Sequence, residues 1–529
     1  MQTEVANRAV SLLAVRRALG PTFAAESATL LFRMNLTGTF QVYAVPRHGG
    51  WPDLLTEGED RVTRVLAAPV GRWVVFARDH DGDERDALWA MVDDGSRLHP
   101  LTDPDSEAIC RLGGFRHDGL AIAYTANRRH PADFDVYIQA VEPGAEPVQV
   151  WEGEGDWCVE GFYPQDEALL LSRRRSTWEV DLYRLALDGS RELTWLTPHE
   201  GAARFVRPVF GFRRIYCLTD FEREYLGVAA VDPAGEGLEW IADPPYDIDL
   251  LAGSPDGQRL CWAVNRDGYS EVYLYDVATR RPVLVEGFGP GVVTDLVFSP
   301  DGLWVAAEFQ APNYNPNIWV FSAERGFAQP VTRAPWCGVD PDQLVVPSLH
   351  RARARDGVTV PFWVYLPPAS EGPAPVVVSL HGGPEAQERP LFSPLYQMLL
   401  AAGWAVVAPN VRGSTGYGKT YAARDDRERR LDVLEDIAAV VAWIQARPDL
   451  DAGRLAVFGA SYGGYLALWA LIRYPEWFRA GIEMVGMADL EAFLERTSPW
   501  RRAWREAEYG SLCHDRALLR TLSPIHQID

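Results

Sequence analysis

Residues 459–464 combine a serine with glycines in a pattern that can perform acyl transfer. They read Gly-Ala-Ser-Tyr-Gly-Gly, with strand-like apolar residues before them and helix-like sequence after them. In a nucleophile elbow, a sharp strand-to-helix turn exposes the serine hydroxyl, and glycines two positions away let strand and helix approach closely. The pattern predicts Ser461 as a nucleophile, although the motif alone is also compatible with a plain turn.

A second glycine pair follows an apolar strand predicted over residues 376–380. Residues 381–384 read His-Gly-Gly-Pro, and glycines in this position expose backbone N–H groups without a side chain in the way. We expect the pair to supply one donor to the oxyanion of a tetrahedral intermediate, and the amide of Tyr462 to supply the other. His381 is expected to be a structural hydrogen-bonding residue, and an ordinary Gly-Gly turn is the simpler alternative.

The proton acceptor that a serine nucleophile needs is harder to place. A Ser-His-Asp mechanism requires an imidazole and an orienting carboxylate, and in α/β-hydrolases the acid and then the histidine follow the serine. Only one further strand, over residues 480–485, is predicted after Ser461. The remaining candidates follow no strand: they are Asp489, Asp515, Asp529, His514 and His526. The sequence thus predicts a nucleophile without its base, and an impaired reaction.

Residues 28–335 are predicted to form the first large domain. Short alternating strands carry a marker aromatic residue at Tyr43, Trp89, Tyr137, Tyr183, Tyr273 and Trp319, and Gly227 holds the same register in a degenerate unit. These positions define seven units of about 46 residues. A period of this length with about four strands per unit is typical of a β-propeller, with a β-sandwich as the alternative.

Strand-like and helix-like segments alternate after Pro341, which indicates a mainly parallel sheet covered on both faces. The fold class is therefore mixed. We predict an N-terminal segment 1–27 with a helix over residues 5–19, a propeller over 28–335, and an α/β-hydrolase domain over 336–529 that lacks its last strands. A sheet ending at residues 480–485 would leave an apolar edge, so we expect self-association or pairing with a complementary C-terminal fragment.

A third segment, residues 409–418, reads Pro-Asn-Val-Arg-Gly-Ser-Thr-Gly-Tyr-Gly and lies between the other two motifs. Behind a propeller, the three motifs in this order resemble the prolyl oligopeptidase family, in particular its acylaminoacyl-peptidase and dipeptidyl-peptidase branches. The resemblance implies a seven-bladed propeller that shields an α/β-hydrolase site and admits short peptides. It also implies Ser461 as the nucleophile of an acyl-enzyme, with Gly383 and Tyr462 as the oxyanion donors.

The resemblance gives candidates for the pocket that holds the side chain before the scissile bond. They are Met487, Phe493 and Trp500, which are equally compatible with a role in the core. Arg412 is expected to form a structural ion pair with Asp432 or Asp436. Two other functions stay open: an esterase of the same hydrolase fold, and a non-catalytic propeller that binds peptides or proteins and carries an inactive hydrolase remnant.

The composition narrows the class of partner. The 529-residue chain has a formal net charge of −22, so nucleic acid and anionic membrane surfaces would be repelled. The six cysteines are scattered singly, which favours free thiols in a reducing compartment over a metal or redox site. No segment has the length of a membrane helix or the core of a signal peptide. We therefore expect a cytoplasmic enzyme without cofactor or metal.

Overall fold

The computed structural model of the protein describes residues 2–235, 237–368 and 372–528, so Asp529 lies outside the described residues. A seven-bladed β-propeller is followed by an α/β-hydrolase domain, which confirms the predicted fold class. Each blade is an antiparallel sheet of four strands paired in chain order.

The strands of the seven blades follow one another along the chain without insertions of other elements. They are β1 (Ala18–Phe23), β2 (Thr29–Met34), β3 (Gln41–Pro46) and β4 (Asp53–Leu54); β5 (Val62–Ala67), β6 (Trp73–Arg78), β7 (Ala87–Val92) and β8 (His99–Pro100); β9 (Cys110–Phe115), β10 (Ala121–His130), β11 (Asp133–Ala140) and β12 (Val148–Trp151); β13 (Asp156–Phe162), β14 (Ala168–Ser176), β15 (Glu179–Ala186) and β16 (Leu193–Trp195); β17 (Phe205–Phe210), β18 (Ile215–Thr219), β19 (Gly227–Val231) and β20 (Leu238–Ala242); β21 (Ile248–Gly253), β22 (Arg259–Arg266), β23 (Tyr269–Asp276) and β24 (Arg281–Leu284); and β25 (Val292–Phe298), β26 (Trp304–Ala311), β27 (Tyr314–Ser322) and β28 (Gln329–Pro330).

Every marker residue lies in the third strand of its blade, from Tyr43 in β3 to Trp319 in β27. Gly227 opens the third strand of the fifth blade, as its register predicts. A Cβ on Gly227 would lie 2.8 Å from the Trp240 ring, so an aromatic side chain of the fourth strand occupies the space next to this glycine. The periodic pattern therefore identified all seven blades.

The ring closes between the first and the seventh blade. Phe32 of β2 shares a buried cluster with Ile318 and Val320 of β27. The backbone N–H of Gly20 in β1 donates to Glu308 Oε2 of β26 at 2.9 Å. One blade cannot cover both of its faces alone. This contact therefore lets the first blade bury the face that it turns towards the seventh blade.

The N-terminal boundary differs from the predicted one. Helix α1 spans Gln2–Ala14, and β1 begins at Ala18 and pairs antiparallel with β2. The propeller thus starts at Ala18 and not at residue 28. Pro21 lies where the register of β1 shifts between Leu19 and Thr22, and a proline in a strand-like run argues against a strand when only the sequence is read.

The second domain contains a six-stranded sheet with helices on both faces. Its strands are β29 (Ser348–Arg353), β30 (Thr359–Tyr365), β31 (Ala374–Leu380), β32 (Ala405–Pro409), β33 (Leu450–Ala460) and β34 (Phe478–Met484), in the spatial order β29-β30-β32-β31-β33-β34. The four strands β32, β31, β33 and β34 are parallel, and β29 and β30 extend the sheet antiparallel. The parallel strands β31 and β32 are almost entirely buried, as strands covered by helices must be.

The helices of this domain are short and amphipathic. They are α2 (Pro394–Ala401), α3 (Lys419–Ala422), α4 (Val433–Gln445), α5 (Tyr462–Arg473), α6 (Leu490–Arg496), α7 (Pro499–Tyr509) and α8 (Arg516–Leu522), with 3₁₀ turns at Pro341–Gln343, Ala423–Asp425, Arg427–Asp432 and Pro524–Gln527. In α4, Ile437, Val440, Val441 and Ile444 recur at helical spacing and are buried against the sheet. Within the described ranges no helix is both long and apolar enough to cross a membrane.

Strand β34 is the outermost strand of the described part of the sheet, where it pairs with β33. Its residues from Arg479 to Met484 are all exposed, and Ile482 and Met484 retain 58% and 52% of their accessible surface. The described sheet thus presents the apolar edge that the sequence predicts.

The propeller covers the carboxyl ends of the parallel strands. After β31, Arg389 forms an ion pair with Asp249 of the sixth blade at 2.7 Å. After β32, the N–H of Gly416 donates to Asp247 at 3.1 Å. After β34, helix α7 packs on β14 of the fourth blade. Since sites of parallel α/β sheets lie at this edge, the propeller lies over the position where a site is expected.

Candidate active site

Ser461 occupies a strained turn between β33 and α5. Its φ of 55° and ψ of −120° lie outside the regions that non-glycine residues favour, and its N–H donates to Met484 O of the neighbouring strand at 2.9 Å. The residue is exposed, while Tyr462 next to it is completely buried. This geometry presents the hydroxyl above the sheet, as a nucleophile elbow does.

Two glycines permit this turn by their lack of a side chain. A Cβ on Gly459 would lie 2.0 Å from Gly463 O, and a Cβ on Gly463 would lie 2.0 Å from Leu380 O. Real Cβ atoms do not approach backbone oxygens this closely, so any side chain at either position would push α5 away from β33 or β31. The glycines of the motif are therefore required by the packing of strand on helix.

The predicted oxyanion donors lie close to Ser461. A Cβ on Gly382 would be 3.6 Å from Ser461 Cβ, and Gly383 lines the same cavity as Ser461. Tyr462 is the first residue of α5, and the N–H groups of a first helical turn have no partner inside the helix. Backbone N–H groups at these positions can stabilise an oxyanion that forms on a carbonyl attacked by Ser461.

A buried ion pair holds the side chain of Tyr462. Its hydroxyl donates to Asp425 Oδ2 at 2.6 Å, and the same carboxylate oxygen accepts from Arg430. Arg430 also donates to Glu508 O at 3.0 Å and stacks 4.4 Å from the Tyr509 ring centroid. Burial disfavours the charged guanidinium, but Asp425 is its strongest favourable partner and helps raise the pKa of Arg430 well above its usual value.

The segment 409–418 packs between the other two motifs. Ser414 Oγ lies 2.9 Å from His381 Nε2, and burial lowers the pKa of His381. Arg412 pairs with Asp436 at 2.7 Å, so Asp436 and not Asp432 is its partner in α4. His381 thus has the structural role that the sequence predicts, and its Nε2 faces Ser414.

No side chain among the described residues hydrogen-bonds to Ser461 Oγ. His514 and His526 are exposed, and neither forms an ion pair within the described ranges. Asp489 accepts from Ala492 N as the N-cap of α6, and Asp515 pairs with Arg427 at 3.0 Å. Asp489 and Asp515 therefore serve local structure, and the described residues bring no imidazole to the serine.

A cavity of about 540 Å³ opens beside Ser461. Met487 and Phe493 line it, as predicted for the substrate pocket, and Met487 is also part of the hydrophobic core. Trp500 does not line this cavity, so that prediction is wrong. Its ring packs edge-on against Phe134 of the third blade at 6.0 Å, beside a hydrophobic cluster that the third and fourth blades share.

The residues that support and surround the site carry no motif that predicts them. Asp425 and Arg430 lie more than thirty positions before Ser461, in polar 3₁₀ turns that carry no motif. Arg496, Arg501 and Arg505 line the cavity from α6 and α7 without a sequence pattern that marks them.

Metal-binding side chains are not gathered around the serine in the described part of the chain. The one group there with suitable spacing is Asp60, His80 and Asp81, whose ligand atoms lie within 4.8 Å of one another on the propeller surface. Two of the three are exposed, and Asp60 is 3.3 Å from His80. Exposed acidic groups of this kind are common without an ion.

Fold and site define the class of protein: a serine hydrolase domain of the α/β type beneath a β-propeller. Residues 390–529 match the profile of the prolyl oligopeptidase family. Dipeptidyl aminopeptidase BIII of Pseudoxanthomonas mexicana is 30% identical over 448 residues, which cover 81% of this chain and 63% of the relative. The uncharacterized peptidase YuxL of Bacillus subtilis is 24% identical, covering 87% of this chain and 78% of the relative.

Solved structures agree with the fold. A puromycin hydrolase superposes with a TM-score of 0.84 at 18% identity, covering 98% of this chain and 85% of that chain. A prolyl endopeptidase superposes with a TM-score of 0.84 at 19% identity, covering 100% of this chain and 80% of that chain. The hydrolase domain, over residues 390–529, is a prolyl oligopeptidase family domain. It spans 63% of the length of the Pseudoxanthomonas relative and 24% of that of dipeptidyl peptidase family member 6 of Caenorhabditis elegans.

Proposed function

We propose that the protein is a serine peptidase that cleaves short peptides through an acyl-enzyme on Ser461. The observation that carries this proposal is the exposed serine at φ 55°, with Gly383 and the N-terminus of α5 at the same cavity. The propeller over the carboxyl edge of the sheet favours peptides small enough to pass it. Relatives named as peptidases support the same reaction.

In the proposed reaction, Ser461 Oγ attacks the carbonyl carbon of the scissile peptide bond. The carbonyl oxygen becomes an oxyanion, which the N–H groups of Gly383 and Tyr462 stabilise. The C–N bond then breaks, the amine leaves with a proton, and water hydrolyses the ester that remains on Ser461. The hydroxyl proton must pass to a base before it reaches the leaving amine.

We also propose that turnover by the chain as given is impaired. The described residues supply the nucleophile and the oxyanion donors but no imidazole at Ser461 Oγ. Without a base the hydroxyl stays protonated near neutral pH and attacks slowly. Positioning and oxyanion stabilisation remain, so an external base that enters the open cavity should restore part of the reactivity.

Labelling with a fluorophosphonate probe tests both proposals, because the probe bonds to an activated serine with loss of fluoride. We expect slow labelling that free imidazole accelerates about tenfold. The Ser461→Ala variant is the control and should stay unlabelled under both conditions. Fast labelling without imidazole would refute the impairment, and no labelling of the unaltered chain in either condition would refute the nucleophile.

The described residues place no base at the serine, which also favours a second candidate, a propeller that binds peptides without cleaving them. Comparing acyl-peptide anilides with simple nitrophenyl esters separates the alternatives. Cleavage of anilides supports the peptidase, cleavage of esters alone supports an esterase, and peptide binding without turnover supports the non-catalytic protein.

The exposed edge of β34 supports a proposal about assembly. Unpaired backbone groups beside Ile482 and Met484 can accept a further strand, from a second copy or from a complementary C-terminal fragment. Light scattering after gel filtration distinguishes a dimer from a monomer. For the compartment we propose the cytoplasm, which the six unpaired cysteines support and cell fractionation would test.

A further inference from the structure

The cavity beside Ser461 carries an excess of positive charge. Arg496, Arg501 and Arg505 line it, and Asp489 is the only acidic residue among the described residues of the lining. The whole chain shows the opposite balance, with 73 acidic and 51 basic residues. A basic lining in an acidic protein indicates that positively charged side chains have a function at this position.

Neighbouring groups neutralise only part of this charge. Arg505 is paired with Glu508 at 3.2 Å and lies 3.7 Å from Glu385. Arg496 and Arg501 form no ion pair with any residue that the structure describes. Burial, and then repulsion from Arg505, lower the pKa of Arg501, while Glu84 of the propeller and Glu508 act weakly in the opposite direction. The charge of Arg501 is therefore only partly compensated by the acidic residues around it.

We infer, on the basis of the proposed peptidase function, that Arg501, assisted by Arg496, binds a carboxylate group of the peptide substrate beside Ser461. A guanidinium offers a planar set of donors that matches a carboxylate, and such charge-assisted hydrogen bonds are stronger than neutral ones. Met487 and Phe493 line the same cavity and can contact the methylene groups that carry an acidic head group. The site thus selects peptides with an acidic group near the scissile bond.

Two sources can supply this carboxylate: an acidic side chain, or the free C-terminus of a short peptide. Two pairs of peptides separate these sources. Their binding is measured with the full chain carrying Ser461→Ala, so that turnover does not interfere. One pair of peptides is Ac-Ala-Ala-Glu-Ala-NH₂ and its Gln counterpart, measured by titration calorimetry. The other pair is the Gln peptide with a free C-terminus and with an amidated one.

We expect the carboxylate member of at least one pair to bind about fivefold more tightly at low salt, as for an ion pair in a partly exposed site. Arg501→Gln should bring the ratio close to one, and Arg501→Lys should retain part of it. Arg479→Gln removes the same charge from the exposed strand β34, outside the cavity, and should leave the ratio unchanged.

Equal affinities within both pairs would overturn the inference, as would a preference that survives in both Arg501→Gln and Arg496→Gln. A different result refutes the peptidase proposal: Ser461 of the unaltered chain is not labelled even when imidazole is present. Labelling of the serine without any carboxylate preference would reject the inference and leave the peptidase proposal intact.

Discussion

Replacing Asp425 with alanine should destabilise the hydrolase domain, because it leaves the Arg430 guanidinium buried without its carboxylate. The side chains of Arg430 and Asp425 are 0% and 1% exposed. Removing one partner of a buried pair typically costs about 3–5 kcal/mol. The bond from Arg430 to Glu508 O and the Tyr509 ring retain part of the compensation, so we expect the lower end, about 3 kcal/mol.

The double variant Asp425→Leu with Arg430→Met should be less damaging than Asp425→Ala. It removes both charges, and apolar replacement of a buried pair is often nearly neutral. The hydroxyl of Tyr462 and the carbonyl of Glu508 lose their partners, which limits the recovery, so we expect a loss of about 2 kcal/mol.

Thermal unfolding followed by far-UV circular dichroism measures these effects in the intact chain. Seven of the eight α-helices in the described ranges lie in the hydrolase domain, so the helical signal reports that domain. For a domain of this size, a loss of about 3 kcal/mol lowers the melting temperature by roughly 6–12 °C. The exposed pair Arg447–Asp449, 2.6 Å apart, gives the control, because Asp449→Ala should cost less than about 1 kcal/mol.

Two results would refute this reasoning. Asp425→Ala could melt within the range of Asp449→Ala, which would mean that the buried guanidinium does not depend on its partner. Alternatively, the double variant could lose as much as the sum of both single substitutions, which would mean that the two residues contribute independently.

Three further predictions address packing, pH and thiols. Gly463→Ala should abolish labelling of the nucleophile and lower the melting temperature, because the new Cβ would lie 2.0 Å from Leu380 O; unchanged labelling would contradict the elbow geometry. Burial raises the pKa of Asp247 to about 6, so the folded state holds this proton more tightly than the unfolded state, and its contribution to stability falls as the pH rises from about 4 to about 6. Relative to the unaltered protein, the Asp247→Asn variant should therefore become more stable by about 3 kcal/mol as the pH rises from ~4 to ~8. If the melting curves of the two proteins depend on pH in parallel, the prediction is wrong. Of the six free thiols, the exposed Cys337 and Cys513 should react with a thiol reagent in the native state well before the other four, and rapid reaction of all six would contradict the described burial.

Local patterns were sufficient to predict the order of the domains and the strand-to-helix turn at Ser461. The marker aromatics repeat because each third strand must meet the same neighbours in its blade, so the period of the sequence follows the period of the fold. The elbow was recognised because its glycines and serine are adjacent in the chain, and the collisions around Gly459 and Gly463 explain why those residue types are needed. Patterns of this kind connect residues that are close in sequence.

The start of the propeller could not be predicted in this way. Gly20 and Pro21 weaken the strand pattern of β1, and the strand is stabilised by its pairing with β2 and by the bond from Gly20 to Glu308 of the last blade. That bond joins residues 288 positions apart. Closing a ring of blades is a tertiary event, so the first strand becomes recognisable only when the seventh blade is in place.

The sequence by itself determined the propeller, the hydrolase domain and the sharp turn that carries Ser461. Only the tertiary structure decided that Trp500 faces the propeller, that Asp425 and Arg430 hold Tyr462, and that three arginines line the cavity. Side chains on short helices and irregular turns have no periodicity that fixes their direction, since packing between distant segments orients them. The proposed substrate preference of the site therefore depends on contacts that no local pattern encodes.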